Sequence, residues 1–469
     1  MSSITFFGAA GGVTGSKHLV AVAGKNILLD CGTFQGLSDT RSRNREFAFS
    51  PSDVDAVVLS HAHLDHCGML PLLVKRGYAG NIFSTMATKA VTGYILQDSA
   101  GIEEQDVAYK RKHHIGTAEE QTPLFNSEDV EVTMKRFVPI AYARNIAQGW
   151  TEILPGVSVK LYDAGHILGS SIIVLKYEEA GEVRHIAYTG DVGPIGVPML
   201  HDPEVPSENI HTLLMESTYG KRKHLSTEKA EERLAAAIHT VCKRKGVMVV
   251  PAFSLGRTQM LVYTIHKLLD EGRIPHFPIF VDSPLATDIT NIYKSYTEEY
   301  DEETRIDFTN EGKLPLTFPN LKYIQEAIES KKLNGKEGPF MVISASGMMT
   351  AGRVVHHLRN TISDEKNAVF ITGYQAVGTT GRKILEGAKH IELHGEMVPV
   401  RAEVLLFNEF SAHADGGQLT DFASHIKGLT TIALVHGEPS EAEALQKTLL
   451  QKNDQWNVSI PSEGDSISI

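Results

Sequence analysis

The chain has 469 residues, a formal net charge of −12 at pH 7 and 42% hydrophobic residues. This length exceeds one ordinary hydrophobic core and predicts two or three domains. No stretch approaches the roughly 18 to 20 uninterrupted apolar residues of a membrane span, so we expect a soluble protein with no membrane partner. The acidic balance excludes binding to nucleic acid through overall positive charge, but it does not exclude a positive cleft or bound divalent cations.

Cysteine content and the N-terminal residues indicate the cellular compartment. Cys31, Cys67 and Cys242 are few, odd in number and far apart, which argues against a disulfide framework. The opening residues, Met-Ser-Ser-Ile-Thr-Phe-Phe-Gly, carry neither a basic segment nor a long apolar segment, so no secretory signal is recognised. We therefore expect a cytoplasmic protein with reduced thiols.

A strand, a glycine-rich loop and a hairpin open the chain. Residues 4–7 predict the strand, and Gly-Ala-Ala-Gly-Gly-Val-Thr-Gly-Ser follows it. This loop either lets the backbone approach a ligand or simply connects two strands, because its glycines do not have the spacing of a P-loop. The hairpin that follows ends with Asp30, a carboxylate at the end of a strand.

The loop over residues 59–66, Leu-Ser-His-Ala-His-Leu-Asp-His, is the most informative stretch of the sequence. It follows the apolar, β-branched run Val-Asp-Ala-Val-Val-Leu, which predicts a buried strand. A turn at the end of that strand can direct imidazole nitrogens and a carboxylate oxygen at nearby cations, and zinc accepts both kinds of ligand. The alternative is a polar loop with incidental histidines. The candidate ligands are His61, His63, Asp65 and His66.

Two later turns add residues of the same kind. A strand over residues 157–162 leads into Asp-Ala-Gly-His166, and a strand over residues 184–189 leads into Gly-Asp191. Along this part of the chain, each strand is followed by a polar residue in a turn. This repeated arrangement places polar side chains at one edge of a sheet. Helices that flank this sheet are predicted from apolar spacing over residues 67–76 and 88–112.

After about residue 206 the pattern changes to alternating strands and helices, with strands over residues 212–215, 246–250, 278–281, 340–343 and 368–371. Five such units predict a parallel sheet with helices on its faces. Ligands bind at the carboxyl ends of such strands, where helix N-termini suit anions such as phosphate. The alternative is that these turns only start helices. The candidate phosphate-binding residues are Arg257, Ser344, Ser346, Gly347, Gly378 and Thr379.

The last part of the chain returns to the first pattern. Phe-Ser-Ala-His413-Ala-Asp follows a charged strand, and a buried strand over residues 431–435 ends at His436. Glu216 belongs to Glu-Ser-Thr-Tyr-Gly, which follows the strand at residues 212–215. Acidic residues and histidines thus stand at strand ends in both halves of the chain.

His-x-His-x-Asp-His, with Gly-His, Gly-Asp and Val-His-Gly downstream in that order, resembles the metallo-β-lactamase superfamily. The motifs around Glu216 and His413 narrow the resemblance to the β-CASP nucleases, most closely the cleavage and polyadenylation specificity endonuclease branch. The resemblance implies an α/β fold, namely a metallo-β-lactamase αββα sandwich with an inserted β-CASP domain whose parallel sheet is flanked by helices. The sandwich would comprise residues 1–208 and 397–469, the β-CASP domain residues 209–396, and the active site the cleft between them.

The resemblance also implies two zinc ions (Zn²⁺) and assigns a role to each candidate residue. One ion would be held by His61, His63 and His166, the other by Asp65, His66 and His436, with Asp191 bridging both and Asp30 supporting the histidine loop. His413 would protonate the leaving oxygen and Glu216 would orient it, so the catalytic set is Asp65, Asp191, Glu216 and His413. Two cations ~3.5 to 4 Å apart activate water and stabilise charge during phosphodiester hydrolysis.

The function that the resemblance implies is a zinc-dependent endoribonuclease acting on RNA. RNA-directed relatives have histidine, as His436 is here, where DNA-directed relatives tend to have valine. Phe-Ser-Ala-His413 lacks the glycine-containing segment of RNase J-type exonucleases. Three alternatives are a metal-dependent hydrolase of small esters or thioesters, an RNase J-like exoribonuclease, and an RNA-binding subunit without catalysis. The sequence leaves open whether the protein forms a homo-oligomer.

Overall fold

The computed structural model describes residues 2–36, 40–145, 149–306, 312, 314–373, 375–376, 378–407 and 410–469. The chain divides into two compact units. The first comprises Met1–Ile195, Asp202–Lys223 and His413–Ile469, and the second comprises Gly196–His201 and His224–Ala412. Within the described ranges, no helix combines the length and the apolar character that crossing a membrane requires.

The first sheet of the first unit contains seven strands among the described residues. They are β1 (Ser3–Phe6), β2 (His18–Val22), β3 (Lys25–Leu29), β4 (Ala56–Val58), β5 (Asn81–Ser84), β6 (Phe137–Pro139) and, from the end of the chain, β22 (Ser466–Ser468), in the order β22-β1-β2-β3-β4-β5-β6. The strands from β3 to β6 run parallel. Asp30 and the loop at residues 59–66 therefore follow neighbouring strands at the same edge.

The second sheet also has seven strands in the described part of the chain. They are β7 (Thr151–Leu154), β8 (Val157–Asp163), β9 (Ser171–Glu179), β10 (Glu182–Tyr188), β11 (Thr212–Glu216), β20 (Thr431–Val435) and β21 (Asn457–Ser459), in the order β21-β20-β11-β10-β9-β8-β7. β10, β11, β20 and β21 run parallel. Their carboxyl ends bring Asp191, Glu216 and His436 to one edge of this sheet.

The two sheets pack face to face, and helices cover their outer faces. Ile4, Leu29 and Val58 of the first sheet share one buried cluster with Leu161 and Leu214 of the second. The helices beside the first sheet are α2 (Leu64–Cys67), α3 (Leu70–Lys75), α4 (Met86–His113) and α5 (Ser127–Met134), and those on the second are α13 (Gly416–His425) and α14 (Pro439–Lys452). The short helix α1 (Thr40–Arg43) has no buried residue. The expected αββα sandwich is confirmed.

The second unit is built on a parallel sheet with helices packed on it. Its helices are α6 (Thr227–Lys243), α7 (Arg257–Asp270), α8 (Pro284–Ser295), α9 (Glu302–Thr304), α10 (Ala327–Lys331), α11 (Arg353–Thr361) and α12 (Thr380–Leu385). Its strands are β12 (Val247–Pro251), β13 (Ile279–Val281), β14 (Leu321–Tyr323), β15 (Phe340–Ser344), β16 (Ala368–Ile371) and β19 (Glu403–Leu406), in the order β14-β13-β15-β12-β16-β19, with a separate hairpin of β17 (His390–Leu393) and β18 (Glu396–Pro399). The sheet pairs are all parallel, as expected. Short 3₁₀ turns lie at Pro51–Asp53, Ala143–Asn145 and Thr297–Glu299.

The strand at residues 212–216 belongs to a different sheet from the one we expected. It pairs with β10 and β20 in the first unit, whereas the sequence pattern groups it with the parallel strands of the second. Leu213, Leu214 and Met215 are all fully buried. A strand buried on both faces is a continuous apolar run, so its sequence does not indicate which of two sheets it joins. The first compact unit extends to Lys223 and resumes at His413, and the domain boundaries at residues 208 and 397 stay a prediction.

Truncating a side chain between the two sheets will destabilise the first unit. Leu161 has no solvent exposure, so Leu161→Ala should lower the free energy of unfolding by about 2 to 5 kcal/mol through lost burial and the cavity left behind. Leu450→Ala, at a leucine that is 39% exposed, is the control and should change it by about 0.5 kcal/mol or less. Urea unfolding followed by circular dichroism measures both. Equal effects of the two substitutions would contradict the face-to-face packing.

Candidate metal centre

The loop at residues 59–66 is held in place by the segment that follows β3. The backbone N–H groups of Cys31 and Thr33 donate to the carbonyls of His66 and Leu64, at 2.7 and 2.9 Å. A Cβ atom at Gly32 would lie 1.6 Å from the Asp65 carbonyl oxygen, so only glycine permits this close approach. α2 begins at Leu64, and the turn before it directs the histidine side chains to one place.

Two groups of potential ligands converge in the first unit. The first consists of His61, His63, His166 and Asp191, the second of Asp65, His66 and His436, and the ligand atoms within each group lie within 4.8 Å of one another. His63 Nδ1 is 3.1 Å from both His61 Nε2 and His166 Nε2. Ligand atoms about 2.0 to 2.1 Å from a tetrahedral zinc ion lie roughly 3.4 Å apart. The spacing therefore fits one cation in each group.

Asp191 connects the two groups through its two carboxylate oxygens. Oδ2 lies 3.4 Å from His61 Nε2 and 3.5 Å from His166 Nε2. Oδ1 lies 3.4 Å from His66 Nε2 and 3.5 Å from His436 Nδ1. A side chain that is 2% exposed thus presents one oxygen to each group, which is the arrangement of a bridging carboxylate.

Asp30 fixes the orientation of His66 from behind the metal centre. Its Oδ2 accepts hydrogen bonds from His66 Nδ1, Tyr188 Oη and Ser60 Oγ, each at 2.7 Å, and its Oδ1 accepts one from the Ser60 backbone N–H at 2.7 Å. Because the Nδ1 of His66 donates to a carboxylate, its Nε2 carries the lone pair that faces the centre. The predicted support of the histidine loop by Asp30 has a direct geometric basis here.

Hydroxyl groups set two more histidines in the same way. Ser60 Oγ donates to Asp30, so it accepts from His61 Nδ1 at 3.0 Å. Thr218 Oγ1 donates to the His436 carbonyl at 3.0 Å, so it accepts from His436 Nδ1 at 3.1 Å. The Nε2 atom of each ring is left as the acceptor, which is the form that binds a metal.

Several buried atoms of the centre have unsatisfied hydrogen-bonding capacity. Within the described part of the chain, His66 Nε2, His436 Nε2 and Asp191 Oδ1 have no hydrogen-bond partner. A buried polar atom without a partner costs about 1 to 3 kcal/mol, so three of them around one point are explained by bound cations. The residues present therefore fit a metal centre.

Glu216 and His413 form a third group with Asp191. His413 Nδ1 lies 3.1 and 3.2 Å from the two carboxylate oxygens of Glu216, and Glu216 Oε1 also accepts the Val192 backbone N–H at 2.6 Å. Burial raises the pKa of Glu216, but the charge and hydrogen bond of His413, the charge of His436 and the hydrogen bond of Thr218 together outweigh burial, and the net shift is downward. Glu216 is therefore a carboxylate that orients the His413 ring.

Sequence reasoning missed three residues that hold the ligands. Ser60 is adjacent to His61, and Thr218 lies two residues after Glu216, inside the motif that contains it. A hydroxyl residue within each predicted motif was the available signal. Tyr188 gave no local signal, because it contacts Asp30 from a distant part of the sequence.

The predicted phosphate-binding residues lie in the second unit, at the carboxyl ends of β12, β15 and β16. Three of them use their polar groups within the unit. Ser344 Oγ and Thr379 Oγ1 donate to backbone carbonyls at 2.9 and 2.7 Å. The Arg257 guanidinium, 8% exposed, donates to the carbonyls of Thr372 and Phe410.

The other three form the surface of the same turns. Gly347 is buried and its carbonyl accepts from the Gln375 side chain at 3.0 Å. Ser346 is partly exposed, and Gly378, with a φ of 87°, is exposed with open space around it. Phosphate binding by these six residues stays a prediction, and Ser346 and Gly378 are the better placed for it.

Replacing Asp30 by asparagine should weaken metal binding without a change of side-chain shape. In the native protein the Asp30 carboxylate accepts hydrogen bonds from Ser60, His66 and Tyr188. An asparagine amide would direct N–H groups at some of these donors, so His66 would lose its fixed orientation. We expect metal affinity to fall about 10- to 100-fold, measured as metal retained by elemental analysis after dialysis against graded chelator. Asp55→Asn is the control, because the Asp55 carboxylate also accepts a backbone N–H, at 2.8 Å, but is 34% exposed. Equal retention by both variants would contradict the role of Asp30.

Three family profiles match the chain in succession. The metallo-beta-lactamase superfamily matches residues 11–234, the Beta-Casp domain residues 258–384, and the Zn-dependent metallo-hydrolase RNA specificity domain residues 397–461. A crystal structure of a protein of unknown function from Enterococcus faecalis V583 is similar over 100% of both chains, with a TM-score of 0.55 and 14% identity. At this identity the likeness to that structure concerns the fold alone.

Three curated relatives are similar over almost the whole chain. Ribonuclease TTHA0252 of Thermus thermophilus is 33% identical over 458 residues, which cover 98% of each chain. Transcription termination factor FttA of Methanocaldococcus jannaschii is 30% identical over 93% of this chain and 67% of its own length. Cleavage and polyadenylation specificity factor subunit 3 of Dictyostelium discoideum is 29% identical over 99% of this chain and 57% of its own. This chain thus spans most of the first relative, but only about half to two thirds of the other two.

The predicted recognition is confirmed by the order of the three matching profiles and by a relative that is 33% identical over nearly its full length. The His and Asp residues of the two ligand groups lie within the superfamily match, except His436, which lies in the metallo-hydrolase RNA specificity match. The chain therefore belongs to the metallo-β-lactamase superfamily and, within it, to the β-CASP ribonuclease family of metal-dependent hydrolases.

Proposed function

We propose that the protein is a zinc-dependent endoribonuclease that hydrolyses internal phosphodiester bonds of RNA with two zinc ions per chain. The observation that carries this proposal is the Glu216–His413 pair beside the bridging carboxylate. His413 Nδ1 lies 3.9 Å from Asp191 Oδ2, and its side chain is 17% exposed whereas that of Glu216 is fully buried. An oriented imidazole at the edge of a metal centre can deliver a proton to a substrate.

The two ligand groups would hold one zinc ion each, with Asp191 shared between them. When bound, zinc acts as a Lewis acid on the phosphodiester and lowers the pKa of water to near neutrality. The protein's own part is to fix the ligands. Asp30, Ser60 and Thr218 hold the imidazoles of His66, His61 and His436 in the metal-binding tautomer.

His413 supplies the acid that phosphodiester hydrolysis requires. The leaving oxygen departs as a strongly basic alkoxide unless it is protonated. Because Nδ1 of His413 donates to Glu216, a proton at Nε2 is the one available for transfer. A positioned acid of this kind contributes about 100- to 10,000-fold to the rate, and hydrolysis of an ester with a less basic leaving group depends on it less.

RNA as substrate is supported by the relatives. The Thermus thermophilus relative is named a ribonuclease, and the Dictyostelium relative is named a subunit of a cleavage and polyadenylation factor. His436 agrees with the RNA-directed pattern. Internal cleavage is supported by the segment at residues 410–413, Phe-Ser-Ala-His, which differs from that of RNase J-type exonucleases.

Zinc content tests the metal assignment. We expect elemental analysis to give about two zinc ions per chain. His63→Ala and His436→Ala each remove a ligand from a different group and should each lower the content toward one ion. His425→Ala is the control, since His425 is exposed at the end of α13, and it should leave the content unchanged. A content well below two ions in the unaltered protein would refute the dinuclear proposal.

Internally labelled RNA with both ends blocked tests the reaction. The unaltered protein should produce fragments of mixed length early in the time course. His413→Ala should lower kcat about 100- to 10,000-fold because the leaving oxygen loses its acid, while His425→Ala should not. Zinc content is measured in parallel, so that loss of metal is distinguished from loss of the acid.

Three results would replace the proposal by one of its alternatives. Activity that requires a free 5′-monophosphate end would identify an exoribonuclease. A clear preference for small esters or thioesters over RNA would identify a hydrolase of another class. RNA binding without cleavage, at full zinc content, would identify a binding subunit.

A further inference from the structure

A run of three cations follows the Glu216 motif and has no role in the mechanism above. Residues 221–223, Lys-Arg-Lys, are all exposed, and we call them the basic strap. They come directly after Tyr219 and Gly220 and end the middle segment of the first unit. In a chain with a net charge of −12, these three cations form a local positive segment beside the Glu216 motif.

The start of the basic strap is clamped close to His413. A Cβ atom on Gly220 would lie 2.4 Å from the Glu441 carbonyl oxygen of α14, and one on Gly416 would lie 2.1 Å from the Gly220 carbonyl oxygen. The backbone N–H of Lys221 donates to Glu441 Oε2 at 2.8 Å. Since Gly416 is three residues after His413 and begins α13, these contacts fix the strap relative to the catalytic histidine.

Arg222 continues a row of side chains that starts at His413. The ring of Tyr219 meets the His413 ring edge-on with centroids 5.9 Å apart. The Arg222 guanidinium lies over the same Tyr219 ring, 5.0 Å from its centre, and its Nε is 3.5 Å from Glu441 Oε1. A guanidinium held on an aromatic ring keeps its planar N–H donors available for an oxyanion.

Lys221 and Lys223 add charge that is free to act on a ligand. In the described part of the chain, neither side chain forms an ion pair with a carboxylate. The metal centre, by contrast, contains the carboxylates of Asp65, Asp191 and Glu216. A polyanion approaching these acids needs local cations, and a fixed basic segment raises the local concentration of such a ligand.

We propose that the basic strap binds the phosphates of the RNA strand next to the scissile bond. This inference rests on the proposed ribonuclease function and deepens it. Arg222 contacts the phosphate nearest to His413, and Lys221 and Lys223 contact those beyond it. The contacts are to the backbone, so they hold any RNA sequence in register with His413 and carry no base preference.

The test compares two strap variants with a matched control. Lys221→Gln with Lys223→Gln removes two charges and leaves the contacts of Arg222 intact, and adding Arg222→Gln removes the third. Lys135→Gln with Lys447→Gln removes two exposed lysines from other parts of the first unit. Circular dichroism melts establish that each variant is folded.

Steady-state cleavage of single-stranded RNA is measured at several salt concentrations. In the double variant we expect KM to rise on the order of 10-fold near 0.15 M salt, with kcat within about twofold, because each neutralised phosphate contact contributes a salt exponent of about 0.7. The slope of log KM against log salt should fall by about 1.4 in the double variant and about 2 in the triple variant. The control pair should keep the KM and the slope of the unaltered protein.

Binding is measured separately, by fluorescence anisotropy of labelled RNA with zinc-loaded His413→Ala protein carrying the same strap substitutions. Weaker binding with a lower salt slope supports the strap whether or not the unaltered protein cleaves RNA. Unchanged affinity and slope in the strap variants overturn the inference. Absence of RNA cleavage by the unaltered protein overturns the proposed function instead. A fall in kcat with unchanged KM also overturns the inference, since it indicates that the strap only supports His413.

Discussion

The buried carboxylate of Asp30 is the interaction on which the metal centre depends. A charged group without contact to water needs hydrogen-bond donors on every side, and here it receives three from side chains and one from the backbone. Two side-chain donors, Ser60 and His66, come from the ligand loop of the first sheet, and the third, Tyr188, comes from the end of β10 in the second. The same bonds therefore join the two layers of the sandwich and set the tautomer of a ligand.

Parallel strands supply the rest of the centre. β10, β11 and β20 are neighbours that run in the same direction, so the residues that follow them meet at one edge. Asp191, Glu216 and His436 all occupy this edge, and the Val192 N–H links the Asp191 turn to Glu216 at 2.6 Å. Metal ligands and the orienting carboxylate thus share one rigid support. The positions of these three side chains relative to one another therefore follow from the register of the strands.

Much of the fold and of the site follows from local sequence pattern. The ligand loop and the turns after the strands were predictable because strand ends and metal-ligand residue types are short-range signals. The αββα class followed from the resemblance of the motifs to the metallo-β-lactamase superfamily. The sheet that Thr212–Glu216 joins was not predictable, because the sequence of a strand buried on both faces does not indicate which strands pair with it. Arg257 shows the same limit. Its position beside a glycine turn suggested an anion, which stays a prediction, but the sequence did not reveal that its guanidinium donates to the carbonyls of Thr372 and Phe410, which only the folded chain brings near.

Segments of the first unit precede and follow both segments of the second unit, Gly196–His201 and His224–Ala412, so the first unit is completed last during synthesis. β20 and His436 emerge from the ribosome only after every strand of the second unit, whereas His61, His63 and His66 emerge early. At about 5 to 20 residues per second, translation of the second unit delays His436 by roughly 10 to 40 s. During that interval the nascent chain has the His61 group but lacks His436 of the other, so the second group is complete only after the second unit has been translated.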